Sequence, residues 1–299
     1  MTTDRFAYDE AFSRNIGWVT RAEQARLRRQ CVAIAGLGGV GGSHLLTLAR
    51  LGVGRFRIAD LDRFDLVNFN RQAGAMMSTL GREKAAVLAD MARDINPELE
   101  IEVFPQGVDR NNLDAFLHGA DLYVDGLDFF AFEARRQTFA ACTRLAIPAV
   151  TAAPLGMGVA VLVFLPGRMS FEDYFRLDGQ PEHEQALRFL LGLSPAMLQR
   201  RYVADPTQVD LAAHRGPSTI IACQLCAGAA AGEALKILLG RGRVLAAPWG
   251  YQLDIYRNRW VRTFRPWGNR NPIQRLTLAI ARRQLRAMGA GARAEHPVD

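Results

Sequence analysis

The stretch DLDRFDLVNFNRQ, residues 60–72, leaves an apolar run on Asp60 and closes with a guanidinium between two amides, Asn70-Arg71-Gln72. A carboxylate at a strand end can accept hydrogen bonds from sugar hydroxyls, and an arginine fork matches phosphate oxygens. Further on, TLGREKAAV sets Lys84 at the opening of a helical pattern. The 37 basic residues include only two lysines, Lys84 and Lys236, so a compact ammonium at Lys84 stands out among arginines. Upstream, VAIAGLGGVGG carries Gly36, Gly38, Gly39 and Gly41 between an apolar run and a helical pattern. Glycines there let the backbone turn tightly and approach phosphate, with the next helix offering free amides. DLYVDGLDFF adds Asp125 and Asp128 at the end of another apolar run.

These stretches need elements to position them. Strands are expected at residues 31–35, 55–59, 100–104, 122–125, 149–153 and 157–165. Helices are expected at 40–51, 82–95 and 132–146 between them, which is the alternation of a doubly wound α/β fold with a parallel sheet. In such a sheet ligands sit beyond the carboxyl ends of the strands. The glycine turn, Asp60, Asp125 and Asp128 should therefore share one edge. A polar excursion at 167–216, with a helical piece at 184–191, precedes an apolar helix at 218–239, a hairpin of 251–256 with 259–264, and a basic amphipathic helix at 273–288.

Composition narrows the classes. The net charge is +7, yet residues 257–299 alone hold ten arginines against two acids, so the rest sums to about −1 and the basic balance belongs to the tail. Four cysteines in 299 residues are no disulfide framework, and the acidic N-terminus does not read as a leader peptide. The apolar stretches are short or interrupted by charge, so no transmembrane segment is expected and a cytoplasmic protein is. Taken alone, the glycine turn and Asp60 suit either a nicotinamide dinucleotide or ATP. Asn68, Asn70, Arg71, Gln72 and Lys84 add cations and amides suited to a triphosphate, and the nearby carboxylates then call for Mg²⁺. A nicotinamide oxidoreductase and a non-catalytic nucleotide-binding scaffold remain the competing classes.

The motifs SRNIG, GLGGVGG, DLDRFDLVNFNRQ, LGREKA, INPELEI, DGLDFF and GEALKILLG, over residues 12–164 and 218–239, resemble the ThiF/MoeB/HesA family of adenylyltransferases, relatives of ubiquitin-activating enzymes. The resemblance implies a Rossmann-like, mainly parallel sheet with antiparallel C-terminal strands. It implies ATP and Mg²⁺ as cofactors, with Gly36, Gly38, Gly39 and Gly41 at the phosphates. Asp60 would sit at the ribose, with Asp62, Asn68, Asn70 and Gln72 around the nucleotide. Arg71 and Lys84 would act on the triphosphate, and Asp128 on Mg²⁺. Arg14, in SRNIG, would reach the partner's site in a homodimer.

The implied reaction is attack of a carboxylate on the α-phosphorus, giving an acyl-adenylate and pyrophosphate. The substrate would be the C-terminus of a ubiquitin-like or sulfur-carrier protein; a small carboxylate or a modified tRNA base are the other uses. Parts are expected at 1–166 (ATP-binding core with its N-terminal arm), 167–216 (crossover), 217–270 (helix and hairpin completing the same domain) and 271–299 (basic tail).

The chain departs from the family twice. Its crossover contains no cysteine to accept an acyl group, and Cys223-Gln-Leu-Cys226 is one CxxC pair where a family zinc site has two, so zinc is not expected. Cys31, His44 and His118 read as ordinary strand and helix residues. Lys236 reads as the exposed side of a buried helix, with Glu233 as a possible ion partner. The tail stripe Ile273, Leu276, Ile280, set among arginines, reads as a face for its own domain or dimer, with a partner, anionic lipid or RNA as the other readings.

Overall fold

β1 (Cys31–Ala35) is buried along its whole length, as a central parallel strand covered on both faces must be. Its side chains alternate. Val32 and Ile34 enter one core, and Ala33 and Ala35 enter the core on the opposite face. The computed structural model describes the backbone of residues 6–209, 214 and 216–295, and side chains as far as Gln284.

One sheet organises the chain, in strand order β3-β2-β1-β4-β5-β6-β7-β8. β2 (Arg55–Ala59), β3 (Glu100–Phe104), β4 (Leu122–Asp125) and β5 (Ala149–Leu155) continue β1 in parallel. β6 (Gly158–Phe164), β7 (Trp249–Asp254) and β8 (Arg259–Phe264) are antiparallel. β5 returns into β6 through Gly156-Met157, where Gly156 takes φ +64°, a left-handed geometry that a tight hairpin requires. The β7–β8 hairpin lies two residues earlier at its start than expected, because the turn occupies residues 255–258 with Asn258 at φ +50°.

Helices cover both faces. α1 (Tyr8–Ala11) and α2 (Arg21–Leu27) form an N-terminal arm. α3 (Gly41–Arg50) and α4 (Lys84–Ile95) pack on the Val32–Ile34 face, and α5 (Leu113–Leu117) and α6 (Phe132–Arg144) on the other. α7 (Phe171–Phe175) and α8 (Glu182–Leu193) give the polar crossover an aromatic underside: Phe171, Phe175 and Phe189 join Phe139 and Phe164 in one cluster. α9 (Ile220–Leu239) is long and apolar enough to cross a membrane by length and composition. It lies instead against β5, β6 and α3 as a core helix, capped by the Thr219 hydroxyl and stopped by Gly240 at φ +65°. α10 (Pro272–Glu295) docks on α8 through Leu278 against Leu187 and Leu191, and through Arg282 on Glu184.

Ile273, Leu276 and Ile280 remain exposed, and α10 meets its own domain through Leu278. The short helices α1, α2, α5 and α7 were not anticipated, since four to seven residues leave little periodicity to read.

Candidate nucleotide site

Two main-chain turns meet at the carboxyl edge of β1 and β4. Gly36 leaves β1 at φ +81°, and a Cβ there would lie 2.3 Å from the Gly126 carbonyl oxygen. A Cβ on Gly41 would lie 1.7 Å from the Gly36 carbonyl oxygen, and one on Gly126 2.2 Å from that same oxygen. Only hydrogen fits at these three positions. Gly38 and Gly39 are open by comparison. A Cβ on Gly38 would touch Gln72 Nε2 at 3.6 Å, and one on Gly39 would meet Cγ and Cδ of Arg71 at 3.6 Å and Sγ of Cys223 at 3.1 Å. The arginine stem thus crosses the turn directly over Gly39. No side chain caps α3, whose first amides follow this turn.

The cations and the carboxylate converge from β2 and the loop after it. Asp60 accepts from the amides of Leu37 at 2.6 Å and Asp62 at 2.8 Å, which ties the end of β2 to the glycine turn. Burial raises its carboxyl above the usual range, and those two amides and the nearby Lys84 offset part of the rise. Each carboxylate oxygen keeps acceptor capacity for a hydroxyl. Arg71 donates through Nη1 to the Val67 carbonyl at 3.0 Å and to Asn70 Oδ1 at 2.8 Å, which leaves Nε and Nη2 without a partner among the described residues.

Lys84 is 6% exposed, so it is no solvated surface cation, and its Nζ meets Asp62 Oδ2 at 2.9 Å. Gln72 is buried with Oε1 lacking any hydrogen-bond partner, an orphaned acceptor beside Gly38. Asn68 is also buried, and its Oδ1 accepts from the Asp65 amide, so it shapes the loop from within. Asn70 donates to the Ser218 carbonyl at 2.9 Å and fastens the loop to the entry of α9.

Asp125 and Asp128 separate in role. Asp125 is buried at the end of β4, with Arg135 Nε at 2.8 Å and the Thr151 hydroxyl at 3.0 Å. Arg135, itself buried, also donates to the carbonyls of Leu127, Asp128 and Phe129. It grips the turn that carries Asp128. Asp128 is exposed; its Oδ1 takes the Phe130 amide at 2.9 Å, and Oδ2 has no hydrogen bond among the described residues. One free, hard carboxylate oxygen open to water suits Mg²⁺, which keeps several waters and takes few protein ligands.

Arg14 is not part of this convergence. Its short turn Ser13–Asn15 is held by Asn15 donating to the Leu51 carbonyl at 3.3 Å, at the far end of α3. Ten helical residues, about 15 Å, lie between that end and the glycine turn. Arg135 and Cys223 were not anticipated as parts of the site surroundings. Arg135 follows Asp125 at a spacing with no motif, and Cys223 reaches Gly39 only because α9 folds back from the far end of the sequence.

All four cysteines are free and buried, and burial pushes their thiols upward. Among the described residues no three His, Cys, Asp or Glu side chains gather as a metal cluster. Lys236 pairs with buried Glu233 at 2.6 Å on α9, away from the turn.

Comparison with known proteins fits this geometry. The chain is 34% identical over 123 residues to the tRNA threonylcarbamoyladenosine dehydratase of Bacillus subtilis, covering 41% of this chain and 48% of that one. It is 29% identical over 225 residues to the sulfur carrier protein adenylyltransferase of Thermus thermophilus, covering 75% and 74%. The match thus spans about half the length of the first relative and three quarters of the second. The crystal structure of Escherichia coli MccB with ATP superposes with a TM-score of 0.59 at 18% identity, over 81% of this chain and 65% of that one, a likeness of fold. Residues 12–276 match the ThiF family. That span takes in every strand of the sheet, the glycine turn and both cations beside it: the chain belongs to the ThiF family.

Proposed function

We propose that this protein is an ATP-dependent adenylyltransferase that activates a carboxylate, most simply the C-terminus of a ubiquitin-like or sulfur-carrier protein. The observation that carries the reading is the Arg71 stem lying across Gly39, with its Nε and Nη2 unspent, beside a buried Lys84 and a strand-end Asp60. Two cations at that turn match the charge of a triphosphate better than that of a dinucleotide's pyrophosphate. The sulfur carrier adenylyltransferase of Thermus thermophilus, matched over most of both chains, supports the substrate class.

In this reading Asp60 accepts from the ribose, and the glycine turn and α3 amides receive phosphate oxygens. Arg71 and Lys84 hold the triphosphate and meet the charge that builds on the α-phosphate as the carboxylate attacks in line with departing pyrophosphate. Asp128 would hold Mg²⁺, which when bound neutralises phosphate charge. Gln72 Oε1 is available to a donor of the nucleotide. No cysteine is exposed to take the acyl group, so the adenylate itself is the product handed on, in the cytoplasm.

We further take the active unit to be a homodimer. Arg14 sits too far from its own glycine turn to serve it. α9 also presents Gly228 and Gly232, where an added Cβ meets nothing within 4 Å, and the hairpin, joined to α9 by Tyr251 donating to Glu233 at 3.1 Å, exposes Trp249, Trp260 and Phe264. A second copy would cover that apolar surface and deliver Arg14.

A modified tRNA base is the second substrate reading, favoured by the 34% identity over 123 residues to the Bacillus subtilis dehydratase. Thermal stabilisation by Mg-ATP and by NADH, in wild type and Arg71→Ala, tests the site. Stabilisation by ATP that the substitution weakens is the expected result. Stabilisation by NADH alone, indifferent to Arg71, overturns the proposal. Copurification then separates the substrates, a small carrier protein or tRNA.

A further inference from the structure

On the face of the sheet opposite α3, the crossover helices α7 and α8 and the tail helix α10 frame an open pocket of about 850 Å³. Its wall carries five arginines, Arg176, Arg188, Arg270, Arg275 and Arg282, and two acids, Glu172 and Asp178. Those acids are already taken: Arg136, outside the wall, bonds Glu172 at 3.1 Å and Asp178 at 2.5 Å. Arg188 and Arg282 share Glu184, and Arg176 meets Asp173 at 3.2 Å. Arg270 and Arg275 have no anionic partner among the described residues, and the Nε of Arg176 is buried without an acceptor. Arg270 and Arg275, beside these paired arginines, leave the pocket with an excess of positive charge that an entering anion would offset. Pro272, Leu276, Leu278 and Ala279 add apolar lining on α10, the helix that also carries Arg275 and Arg282.

We propose that this pocket binds a phosphate-bearing, nucleotide-like ligand. Its phosphates would sit on Arg270, Arg275 and Arg176, and its flat apolar part against Leu276 and Ala279. Arginine forks rather than lysines favour bidentate contact with phosphate oxygens. The volume suits a small ligand, or one or two residues of a longer strand. The site is separate from the glycine turn and shares no residue with it. It gives the basic tail a task, because α10 supplies much of the wall.

The test uses the full chain with uridine diphosphate and a short oligouridylate as probes, followed by titration calorimetry. Two variants remove the site in different ways: the pair Arg270→Ala/Arg275→Ala, and Leu276→Glu, which adds a carboxylate at an exposed position of the rim without deleting an arginine. The expected result is that both variants weaken the probe by at least about tenfold, while Mg-ATP stabilisation is unchanged. Arg71→Ala should leave probe binding intact, so loss of the ATP reading would not touch this one. Tighter binding of the oligomer than of the diphosphate, with the same arginine dependence, identifies RNA as the source. Equal or tighter binding of the diphosphate identifies a free nucleotide. Failure of both probes to bind, or binding indifferent to both variants, overturns the proposal.

Discussion

The ammonium of Lys84 lies 2.9 Å from the carboxylate of Asp62, with the lysine buried and the aspartate open to water. The stem is thus fixed by packing while its partner is free to swing away. An arriving phosphate can replace Asp62 without moving the lysine. Lys84→Met should therefore fold normally and lose ATP–pyrophosphate exchange by roughly 10²–10³-fold, the range for deleting one preorganised charge at a reacting centre. Asp62→Asn should stay within a few-fold of wild type. Exchange in Lys84→Met close to wild type would remove the lysine from the reaction.

Asp125 and Arg135 present the opposite case, an ion pair in which both partners are buried. Removing one leaves the other charged and unpaired, at a cost of about 3–5 kcal/mol. Urea denaturation of Arg135→Met and Asp125→Ala should show losses of that size, and the double variant should lose less than their sum. Additive losses would mean that the pair is not coupled.

The glycines divide into two sets. Gly41→Ala places a methyl 1.7 Å from a carbonyl oxygen, and Gly36→Ala one 2.3 Å from another, so neither is expected to yield folded protein. Gly38→Ala meets only Gln72 at 3.6 Å, an ordinary contact. It should fold with a near-native melting temperature and weaken Mg-ATP binding about tenfold or more, by filling the cradle. Circular dichroism melts with and without Mg-ATP distinguish the two sets.

His44 is fully buried in α3 with neither ring nitrogen hydrogen-bonded, and desolvation pushes its pKa down to about 4. The unfolded chain takes up this proton near pH 6.5 and the folded chain only near 4, so stability present at neutral pH is lost as pH falls across that window. The loss amounts to about 3 kcal/mol by pH 4. His44→Leu should flatten this part of the pH–stability curve. An unchanged slope in that variant would assign the acid sensitivity to other groups.

Arg14 offers a test of the dimer. Arg14→Ala and Arg71→Ala should each be nearly inactive alone. If Arg14 serves the partner's site, a mixed dimer has one site lacking both arginines and one lacking neither. Unfolding and refolding the two variants together should therefore restore exchange to about a quarter of wild type, the share of active sites in random pairing. No recovery after mixing would place Arg14 outside the partner's site.

Much of this arrangement was legible from sequence because the parallel strands are short, apolar and bounded by glycine or acid. Cys31–Ala35, Arg55–Ala59, Glu100–Phe104 and Leu122–Asp125 have the expected bounds. Asp60 and the glycine turn were placed together by strand order alone, since both end adjacent strands at one edge. Contacts that depend on chain return were not legible. Ser218 and Cys223 lie some 150 residues or more beyond the loops they touch, and no local periodicity carries that information. The seating of the tail was not legible for a related reason. Its apolar stripe stands exposed, and Leu278, Ala281 and the ion pair of Arg282 decide how α10 sits on its own domain.

The close approach of Gly36, Gly41 and Gly126 has a mechanical consequence. Where side chains lie between neighbouring segments, they can give by rotating. Here one main chain rests directly on another, and nothing compressible separates them. The turn over the phosphates and the turn bearing Asp128 must therefore travel as one body, driven neither by a rotamer change nor by a repacked core. Sequence drift in the surrounding helices can alter stability while this junction holds its shape, with backbone seated on backbone and Arg135 and Asp60 each tying one of the turns.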